Sequence, residues 1–278
     1  MSSIAQALAA AREKLNAAEA RQLLGHVLQK PAAWLLAHDD ETLTEHQLAH
    51  YASLCARRRG GEPIAYLTGA REFYGRTFHV APGVLIPRPE TELLVDLAKS
   101  WTESRVGAGQ TALRILDLGT GSGCIAISIA LECPECELVA IDASEEALAI
   151  ARTNAEQLGA TVRIFCSDWF SMLADERFDL IVSNPPYIAS GDAHLALGDL
   201  VHEPPTALSS GPDGLDAIRT IIATAPHFLR PAGSLWLEHG YDQAEAVRQL
   251  FQAAGYTDIR QHTDIAGIVR VSGGTLSQ

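Results

Sequence analysis

The hydrophobic positions of the first 60 residues recur at helical spacing. The spacing predicts a first helix with an apolar side made of Ile4, Leu8, Ala11 and Leu15. A second helix carries Leu23, Leu24, Val27 and Leu28, and Pro31 ends it. A short third helix is expected at 34–36 and a fourth from Thr44 to 59. Residues 1–60 are therefore expected to form a small helical bundle domain.

The next 30 residues have a different pattern. Aromatic and β-branched residues on both sides of Gly75 predict a β-hairpin. The stretch Leu85-Ile86-Pro87-Arg88-Pro89-Glu90 predicts an extended connector. Because this linker over 61–90 is apolar and stiff, we expect it to pack against another part of the chain.

From residue 91 onward, short apolar runs alternate with helical patterns. Strands are expected at 114–118, 138–141, 162–165, 178–182 and 234–237. Helices are expected around 93–98 and at 124–131, 144–158, 215–228 and 243–253. Two last strands, at 257–260 and 268–271, should form an antiparallel pair. The alternation predicts an α/β domain over 91–278, with a mostly parallel, Rossmann-like sheet covered on both faces.

Length and charge narrow the functional classes. A chain of 278 residues suits two domains, and its 47% hydrophobic content supports sizeable cores. The formal net charge is −13, and residues 1–80 carry nine Lys/Arg against eight Asp/Glu, so residues 81–278 carry −14. An acidic surface is a poor platform for phosphate backbones. Direct binding of nucleic acid is therefore disfavoured.

The N-terminal sequence and the cysteines bear on the compartment. The chain begins Met1-Ser2-Ser3-Ile4-Ala5 without the features of a secretory signal, and no apolar run approaches a membrane span of roughly 18 residues. Its five cysteines lack the spacing of a disulfide framework. We expect a cytoplasmic protein. Cys133 and Cys136 resemble half of a zinc site, but no second pair matches them, so no metal is expected.

A glycine-rich loop follows the first strand of the α/β domain. It reads Asp117-Leu118-Gly119-Thr120-Gly121-Ser122-Gly123. Glycines at alternate positions let a ligand approach the backbone closely. The spacing departs from the dinucleotide fingerprint, and an acid at the strand end repels a pyrophosphate. Asp117 instead suits a cationic ligand such as S-adenosylmethionine, although an NAD-dependent oxidoreductase is a competing interpretation.

Two further strands also end in candidate ligand-binding residues. Asp142 is placed to accept hydrogen bonds from both ribose hydroxyls of a nucleoside. Asp168 can bind an adenine amino group, and Trp169 can pack against its ring. Each acid alone is more often a helix cap or a solvated loop residue, but acids at successive strand ends favour a site.

The tetrapeptide Asn184-Pro185-Pro186-Tyr187 follows the predicted strand at 178–182. It can be a simple turn, or a rigid cage for a planar group with N–H donors. If the Asn184 side-chain oxygen and the Pro185 carbonyl accept both hydrogens of a planar nitrogen, its lone pair faces a methyl donor, and Tyr187 covers the group. Such positioning can lower the activation barrier by about 7–11 kcal/mol. A general base is not strictly required. A nucleobase amino group and an amide both fit this description.

Taken together, these motifs resemble the bacterial release factor glutamine methyltransferases of the HemK/PrmC type. The resemblance is carried by Leu85 to Glu92, the Asp117 to Gly123 loop, Asn184 to Tyr187, and Glu203-Pro204 with the Gly211 to Leu215 segment. It covers essentially the whole chain and implies a class I S-adenosylmethionine-dependent methyltransferase fold. His202 departs from the aromatic residue expected before Glu203.

The resemblance also implies an activity and its residues. The activity is N5-methylation of the glutamine in the Gly-Gly-Gln motif of peptide chain release factors 1 and 2, with S-adenosylhomocysteine as product. Cofactor binding is implied for Gly119, Thr120, Gly121, Ser122, Gly123, Asp142, Trp169 and Asn184. The Asn184 to Tyr187 tetrapeptide is implied to bind glutamine, and the connector with Arg88 and Glu90 to line the entrance. We expect residues 1–60 to recognise the protein substrate.

Two other functional classes remain as alternatives. A nucleobase exocyclic-amino methyltransferase shares the glycine loop and the tetrapeptide, but it needs a basic groove that the −14 charge of residues 81–278 opposes. A non-catalytic translation-associated binding protein would retain the fold but leave the intact tetrapeptide unexplained.

Overall fold

A computed structural model describes residues 2–12 and 15–276 of the chain. By their contacts the residues group into two units: Met1–Ala70 with Ala196–His202, and Arg71–Leu195 with Glu203–Gln278. The predicted domain limits at residues 60 and 90 are not decided by this grouping and stay a prediction.

The first unit is built from short helices. They are α1 (Ile4–Arg12), α2 (Ala17–Leu28), α3 (Ala32–Ala37), α4 (Glu45–Arg59) and α5 (Ile64–Thr68). Asn16 and Thr44 begin α2 and α4 with capping boxes, in which the side chain accepts a backbone N–H of the first turn. Leu15 lies beyond the end of α1 and packs against the same apolar core. The predicted first helix also included residues 13 and 14, which lie outside the described residues.

The segment predicted as a linker contains one helix that the sequence did not predict. This is α5, which lies between Pro63 at its start and Gly69 in the left-handed conformation at its end. The predicted hairpin is present as β1 (Ala70–Phe73) and β2 (Arg76–His79), on either side of Gly75. The chain then runs through an extended segment into a 3-10 turn, Pro89–Thr91.

The second unit holds a seven-stranded sheet with helices, as the alternating pattern predicted. Its strands are β3 (Arg114–Leu118), β4 (Glu137–Asp142), β5 (Arg163–Cys166), β6 (Phe178–Ser183), β7 (Leu229–Glu238), β8 (Tyr256–Thr263) and β9 (Val269–Leu276). Its helices are α6 (Glu92–Gly107), α7 (Cys124–Glu132), α8 (Glu145–Leu158), α9 (Asp216–Thr224) and α10 (Ala244–Ala253). The α/β fold class is confirmed.

The strand order is β5-β4-β3-β6-β7-β9-β8. The first five strands are parallel, and the predicted antiparallel pair at the chain's end is formed by β8 and β9. From β3 the chain passes to β4 on one side, whereas β6 pairs on the other. The order therefore reverses between β3 and β6, which is where open α/β sheets bind ligands.

Some boundaries differ from those predicted. The helix expected over 215–228 ends at Thr224 and continues as a 3-10 turn, Ala225–His227, because Pro226 interrupts the pattern of α-helical hydrogen bonds. The strand predicted at 234–237 is longer, starting at Leu229. None of the helices in the described part of the chain is long and apolar enough to cross a membrane. All five cysteines are free.

Candidate active site

A cavity of about 490 Å³ lies at the carboxyl ends of the parallel strands. Several sequence-predicted residues line it: Gly119, Gly121, Asp142, Asp168, Trp169, Asn184 and Pro186. Four strand ends, those of β3, β4, β5 and β6, thus contribute to one site. The candidate residues Arg88, Glu90, Asp117, Thr120, Ser122, Gly123, Pro185 and Tyr187 do not line it.

The glycine loop after β3 is open toward ligand. Gly119 and Gly121 have left-handed φ values of 72° and 54°. A Cβ added to Gly121 would meet nothing within 4 Å, and one on Gly119 would meet only the Trp169 ring at 3.8 Å. Gly123 is different, because its added Cβ would lie 2.7 Å from Ile127 Cδ1. Two glycines therefore leave room for a ligand, while the third permits close packing of the loop.

Asp117 is fully buried at the end of β3. Its Oδ2 accepts a hydrogen bond of 2.6 Å from the Thr120 hydroxyl. Burial raises the pKa of the carboxyl to about 7, the Thr120 hydrogen bond opposes the rise, and Asp142 adds to it. Asp117 is thus placed to act on a ligand through the glycine loop and through its charge, rather than by direct contact.

Asp142 is the acid that lies in the cavity wall. Its Oδ2 accepts a hydrogen bond of 2.9 Å from Gly121 N, and its Oδ1 accepts one of 2.9 Å from Ser144 N. These bonds fix the carboxylate between the glycine loop and the start of α8. An ionised carboxylate has further lone pairs, so it can still accept hydrogen bonds from hydroxyls in the cavity.

Trp169 has an unusual backbone conformation. Its φ of 45° lies in the left-handed region, which bulky residues rarely adopt. Ser167 holds this turn, since its hydroxyl donates to Trp169 O at 2.6 Å and accepts from Met172 N at 3.2 Å. The turn brings the half-buried indole to the cavity, with exposed Asp168 beside it.

Asn184 follows β6 and is held by one residue from a distant part of the sequence. Its Nδ2 donates a hydrogen bond of 3.0 Å to Oγ1 of Thr91. Thr91 is buried, at 2% exposure. One of the two Nδ2 hydrogens of Asn184 is thereby used, and no hydrogen bond to its Oδ1 is made within the described residues, so this oxygen can accept one from a ligand.

Tyr187 points away from the cavity. Its hydroxyl donates to Glu238 Oε1 at 3.2 Å, and its ring packs against the core beneath the sheet edge. Burial, followed by the neighbouring Glu238, raises the pKa of the phenol. In this conformation the ring packs on the side of the tetrapeptide that faces the core. The predicted role of Tyr187 as a cover for the substrate stays a prediction.

Arg88 and Glu90 lie in the connector. Arg88 forms an ion pair with Glu203, whose side chain is fully buried and whose Oε2 also accepts from Ile86 N at 3.0 Å. Glu90 is exposed in the 3-10 turn. Arg88 therefore fixes the connector to the segment after residue 202, and a direct role for either residue in substrate binding stays a prediction.

Sequence reasoning missed Asn154, a buried residue of α8. Its Nδ2 donates to His79 O at 3.0 Å and to Ser122 O at 2.8 Å, and its Oδ1 accepts from His79 N at 2.7 Å. One side chain thus joins the hairpin strand β2 to the glycine loop. Nothing in the sequence pattern marked Asn154 as important, because its hydrogen-bond partners are distant in sequence.

Two walls of the cavity were also not predicted as cofactor contacts. One is formed by Gly83, Val84 and Leu85, and the other includes Pro204 and Ala207. Within the described residues there is no group of three His, Cys, Asp or Glu side chains that could hold a metal ion.

Comparison with known families gives two matches. The profile of the family described as "Methyltransferase small domain" matches residues 95–215, and that of the "PrmC N-terminal domain" matches residues 1–69. The first match contains the glycine loop and the tetrapeptide.

Curated relatives match nearly the whole chain. The release factor glutamine methyltransferase of Bordetella pertussis is 53% identical over 93% of this chain and 94% of its own length. The protein of the same name from Burkholderia pseudomallei is 51% identical over 94% of this chain and 93% of its own. Identity at this level, over more than nine tenths of both chains, shows membership of one protein family and not only a shared fold.

Among solved structures, a T. thermophilus 16S rRNA N2 G1207 methyltransferase in complex with AdoMet and guanosine has a similar fold. It superposes with a TM-score of 0.53 at 20% identity, covering 74% of this chain and 49% of that one. This likeness concerns the fold alone.

Proposed function

This chain belongs to the family of release factor glutamine methyltransferases, and we propose that it transfers a methyl group from S-adenosylmethionine to the side-chain N5 of the glutamine in the Gly-Gly-Gln motif of release factors 1 and 2. The observation that carries the proposal is the presence of Asn184 in the same cavity as the glycine loop and Asp142. The proposed sites for the methyl donor and for the amide that accepts the methyl group thus share one cavity.

The residues of the cavity fit S-adenosylmethionine. Gly119 and Gly121 leave room beside the backbone, Asp142 offers carboxylate oxygens to ribose hydroxyls, and Trp169 offers a ring face to adenine, with Asp168 near its amino group. When bound, the cofactor supplies an electrophilic methyl group on a sulfonium. The negative charges of Asp142 and of ionised Asp117 favour such a cation.

The tetrapeptide suits an amide substrate. Asn184 Oδ1 and the Pro185 carbonyl are acceptors for the two hydrogens of a primary amide, and prolines on either side of the following peptide bond restrict its backbone. Holding both N–H groups fixes the plane of the amide, so that the nitrogen lone pair, which is perpendicular to this plane, can face the methyl group; conjugation with the carbonyl is lost only as the N–C bond forms and the S–C bond breaks. The alkylated nitrogen becomes acidic and loses one proton to water, so a dedicated base is not required.

The domain assignment is part of the proposal. Residues 1–60 form the helical substrate-recognition domain, residues 61–90 the linker and residues 91–278 the catalytic domain. The separate match of an N-terminal family profile supports a distinct first domain. An isolated glutamine offers too little surface for discrimination between proteins, so a second contact region is expected.

The test supplies S-adenosylmethionine with a labelled methyl group to the purified enzyme. Substrates are release factors 1 and 2 with unmodified glutamine, the same factors with that glutamine replaced by alanine, and unmethylated DNA. We expect label on the Gly-Gly-Gln glutamine, located by peptide mass spectrometry, and none on the other two. Label on DNA, or none on either release factor, would contradict the proposal.

A matched pair of variants tests the site. Asn184→Ala should abolish turnover while S-adenosylhomocysteine still binds in calorimetry, because the glycine loop and Asp142 are unchanged. Asp175→Asn changes an exposed carboxylate that does not line the cavity and should behave as wild type.

A further inference from the structure

The Gly211 to Leu215 segment is one of the motifs that carry the family resemblance, all of which lie in the described part of the chain. Each of the other motifs contributes a residue to the cavity wall, and this segment contributes none. It lies instead against the end of the tetrapeptide. A Cβ added to Gly214 would lie 2.2 Å from Tyr187 O and 2.9 Å from the carbonyl carbon of the same residue. The backbone of Gly214 therefore approaches this carbonyl more closely than any side chain allows.

Gln243, the residue before α10, connects this segment to the tetrapeptide. It is 8% exposed. Its Nε2 donates a hydrogen bond of 2.9 Å to Tyr187 O and a longer one of 3.4 Å to Asp213 O. Its Oε1 accepts one of 2.8 Å from Gly240 N, in the turn after β7. One buried amide thus joins the tetrapeptide, the Gly211 to Leu215 segment and the end of β7.

The two backbone partners of Gln243 allow its amide only one orientation. Gly240 N can only donate and Tyr187 O can only accept, so the amide oxygen must face Gly240 and the amide nitrogen must face Tyr187. A glutamate at this position would keep the acceptor for Gly240 N but would place a carboxylate oxygen against the Tyr187 carbonyl. Glutamate therefore separates the two contacts without a change in size.

The tetrapeptide has few torsions that could absorb a displacement of its last carbonyl. Ser183, immediately before it, is fixed by its pairing with Leu118 in β3. The two central residues of the tetrapeptide are prolines, whose φ is locked at about −65°. A displacement of the Tyr187 carbonyl is consequently passed on to the Pro185 carbonyl and to Asn184.

We propose that Gln243 and Gly214 are positioning residues that set the tetrapeptide in place for the substrate amide. Gln243 holds Tyr187 O by a hydrogen bond, and Gly214 leaves the space that this carbonyl occupies. Their role rests on the proposed function, which supplies a primary amide bound by Asn184 and Pro185. Neither residue lines the cavity, so both act on methyl transfer through the tetrapeptide.

The first experiment is a matched pair of glycine substitutions. Gly214→Ala and Gly255→Ala each place alanine at a left-handed φ, of 76° and 81° respectively. A Cβ on Gly255 would meet nothing within 4 Å, whereas the one on Gly214 must push the Tyr187 carbonyl aside. A misplacement of about 1 Å can cost about 100-fold in rate. Gly214→Ala should therefore lower kcat on a release factor roughly tenfold or more, with the KM for S-adenosylmethionine changed by less than about twofold. Gly255→Ala should keep the wild-type kcat.

The second experiment is a matched pair of glutamine substitutions that introduce the same negative charge. Gln243→Glu loses the donor to Tyr187 O, so kcat should fall roughly tenfold or more, again with little change in the KM for S-adenosylmethionine. Gln252→Glu places the charge on an exposed position of α10 and should match wild type. Because Gly214→Ala and Gln243→Glu displace the same carbonyl, their combination should lower kcat by less than the product of the two separate factors.

Hydrogen exchange of the ligand-free enzyme, followed by mass spectrometry, needs neither substrate nor turnover. Ile188 N donates a hydrogen bond of 2.9 Å to Leu208 O directly after the tetrapeptide. Peptides that contain Tyr187 and Ile188 should exchange faster in Gly214→Ala and in Gln243→Glu than in wild type, because local opening exposes their amides. Peptides from the glycine loop should be unchanged, and the two control variants should match wild type in both regions.

Several outcomes would overturn the positioning role. They are a wild-type kcat in Gly214→Ala or Gln243→Glu, an equal loss of kcat in Gly255→Ala, and faster exchange that extends to the glycine loop. Loss of folding in both Gly214→Ala and Gln243→Glu would also overturn it, because the role assigned to these contacts is local. If the wild-type enzyme methylates no release factor, the proposed function fails, and hydrogen exchange alone decides whether the two residues position the tetrapeptide.

Discussion

Replacing Asp117 with asparagine should stabilise the ligand-free protein at neutral and alkaline pH. The carboxyl is fully buried, and its pKa is raised by burial from 3.8 to about 7. Asparagine has nearly the same shape and keeps an oxygen to accept the 2.6 Å hydrogen bond from Thr120. The substitution therefore removes an ionisation while preserving the main contact.

The magnitude follows from the two pKa values. A rise from 3.8 to about 7 corresponds to about 4 kcal/mol of differential free energy between the folded and unfolded states. Below pH 3.8 the carboxyl is protonated in both states and contributes no difference. As pH rises toward 7, the unfolded state ionises first, so wild-type stability falls. Above a pH of about 7 the carboxyl is ionised in both states, and the loss of stability no longer changes with pH.

The assay is urea unfolding of wild type and Asp117→Asn at several pH values between 4 and 8, followed by circular dichroism. The variant should gain stability relative to wild type with rising pH, by up to about 4 kcal/mol at pH 8. The exposed-site control Asp175→Asn should stay within about 0.5 kcal/mol of wild type throughout. A wild-type to Asp117→Asn difference that is independent of pH, or that favours wild type at pH 8, would refute the reasoning.

The variant should also reveal why a destabilising acid is retained. Ionised Asp117 favours a cationic ligand at the neighbouring loop, so Asp117→Asn should bind S-adenosylmethionine more weakly than wild type at pH 8. The deficit should be smaller for S-adenosylhomocysteine, which lacks the sulfonium charge. Calorimetry with both ligands measures the difference, and equal deficits would show that charge is not the cause.

Three further changes test other parts of the site. Asn154→Ala removes three hydrogen bonds that join β2 to the glycine loop. It should lower the free energy of unfolding in urea by about 2–4 kcal/mol and weaken S-adenosylhomocysteine binding. Unchanged binding would show that Asn154 does not hold the loop in its ligand-binding conformation. Glu203→Ala leaves Arg88 without its buried partner and should cost about 3–5 kcal/mol, whereas Glu203→Gln, which keeps an acceptor for Ile86 N, should cost less. Removing residues 1–60 should raise the KM for a release factor far more than that for S-adenosylmethionine, and parallel changes in both would contradict substrate recognition by that domain.

Periodic signals in the sequence predicted the elements of the sheet but not all of their limits. β3, β4 and β6 are buried strands of β-branched and aliphatic residues, so their apolar runs were unambiguous. α5 was missed because its five residues are too few to show a helical period, although Pro63 before it and Gly69 after it are recognisable start and stop signals. Short helices are fixed by their ends more than by their faces.

Buried polar pairs were beyond sequence reasoning for a different physical reason. Asn184 and Thr91 are separated by 93 positions, and Tyr187 and Glu238 by 51. Neither Thr91 nor Glu238 stands in a pattern that distinguishes it from a helix cap or a strand end. Only the packing of α6 and β7 beside β6 makes them partners, so the acceptor residue was predictable and its supporting residues were not.

The topology explains why so few side chains suffice for this chemistry. Leu118 pairs with Ser183, so the glycine loop and Asn184 leave adjacent strands at the same level of the sheet. Their separation is consequently set by backbone pairing and not by the rotamers of long side chains. Methyl transfer depends on in-line alignment, and a misplacement of about 1 Å can cost about 100-fold in rate. A rigid register between β3 and β6, with Asn184 held from behind, meets that requirement better than a site assembled from mobile loops.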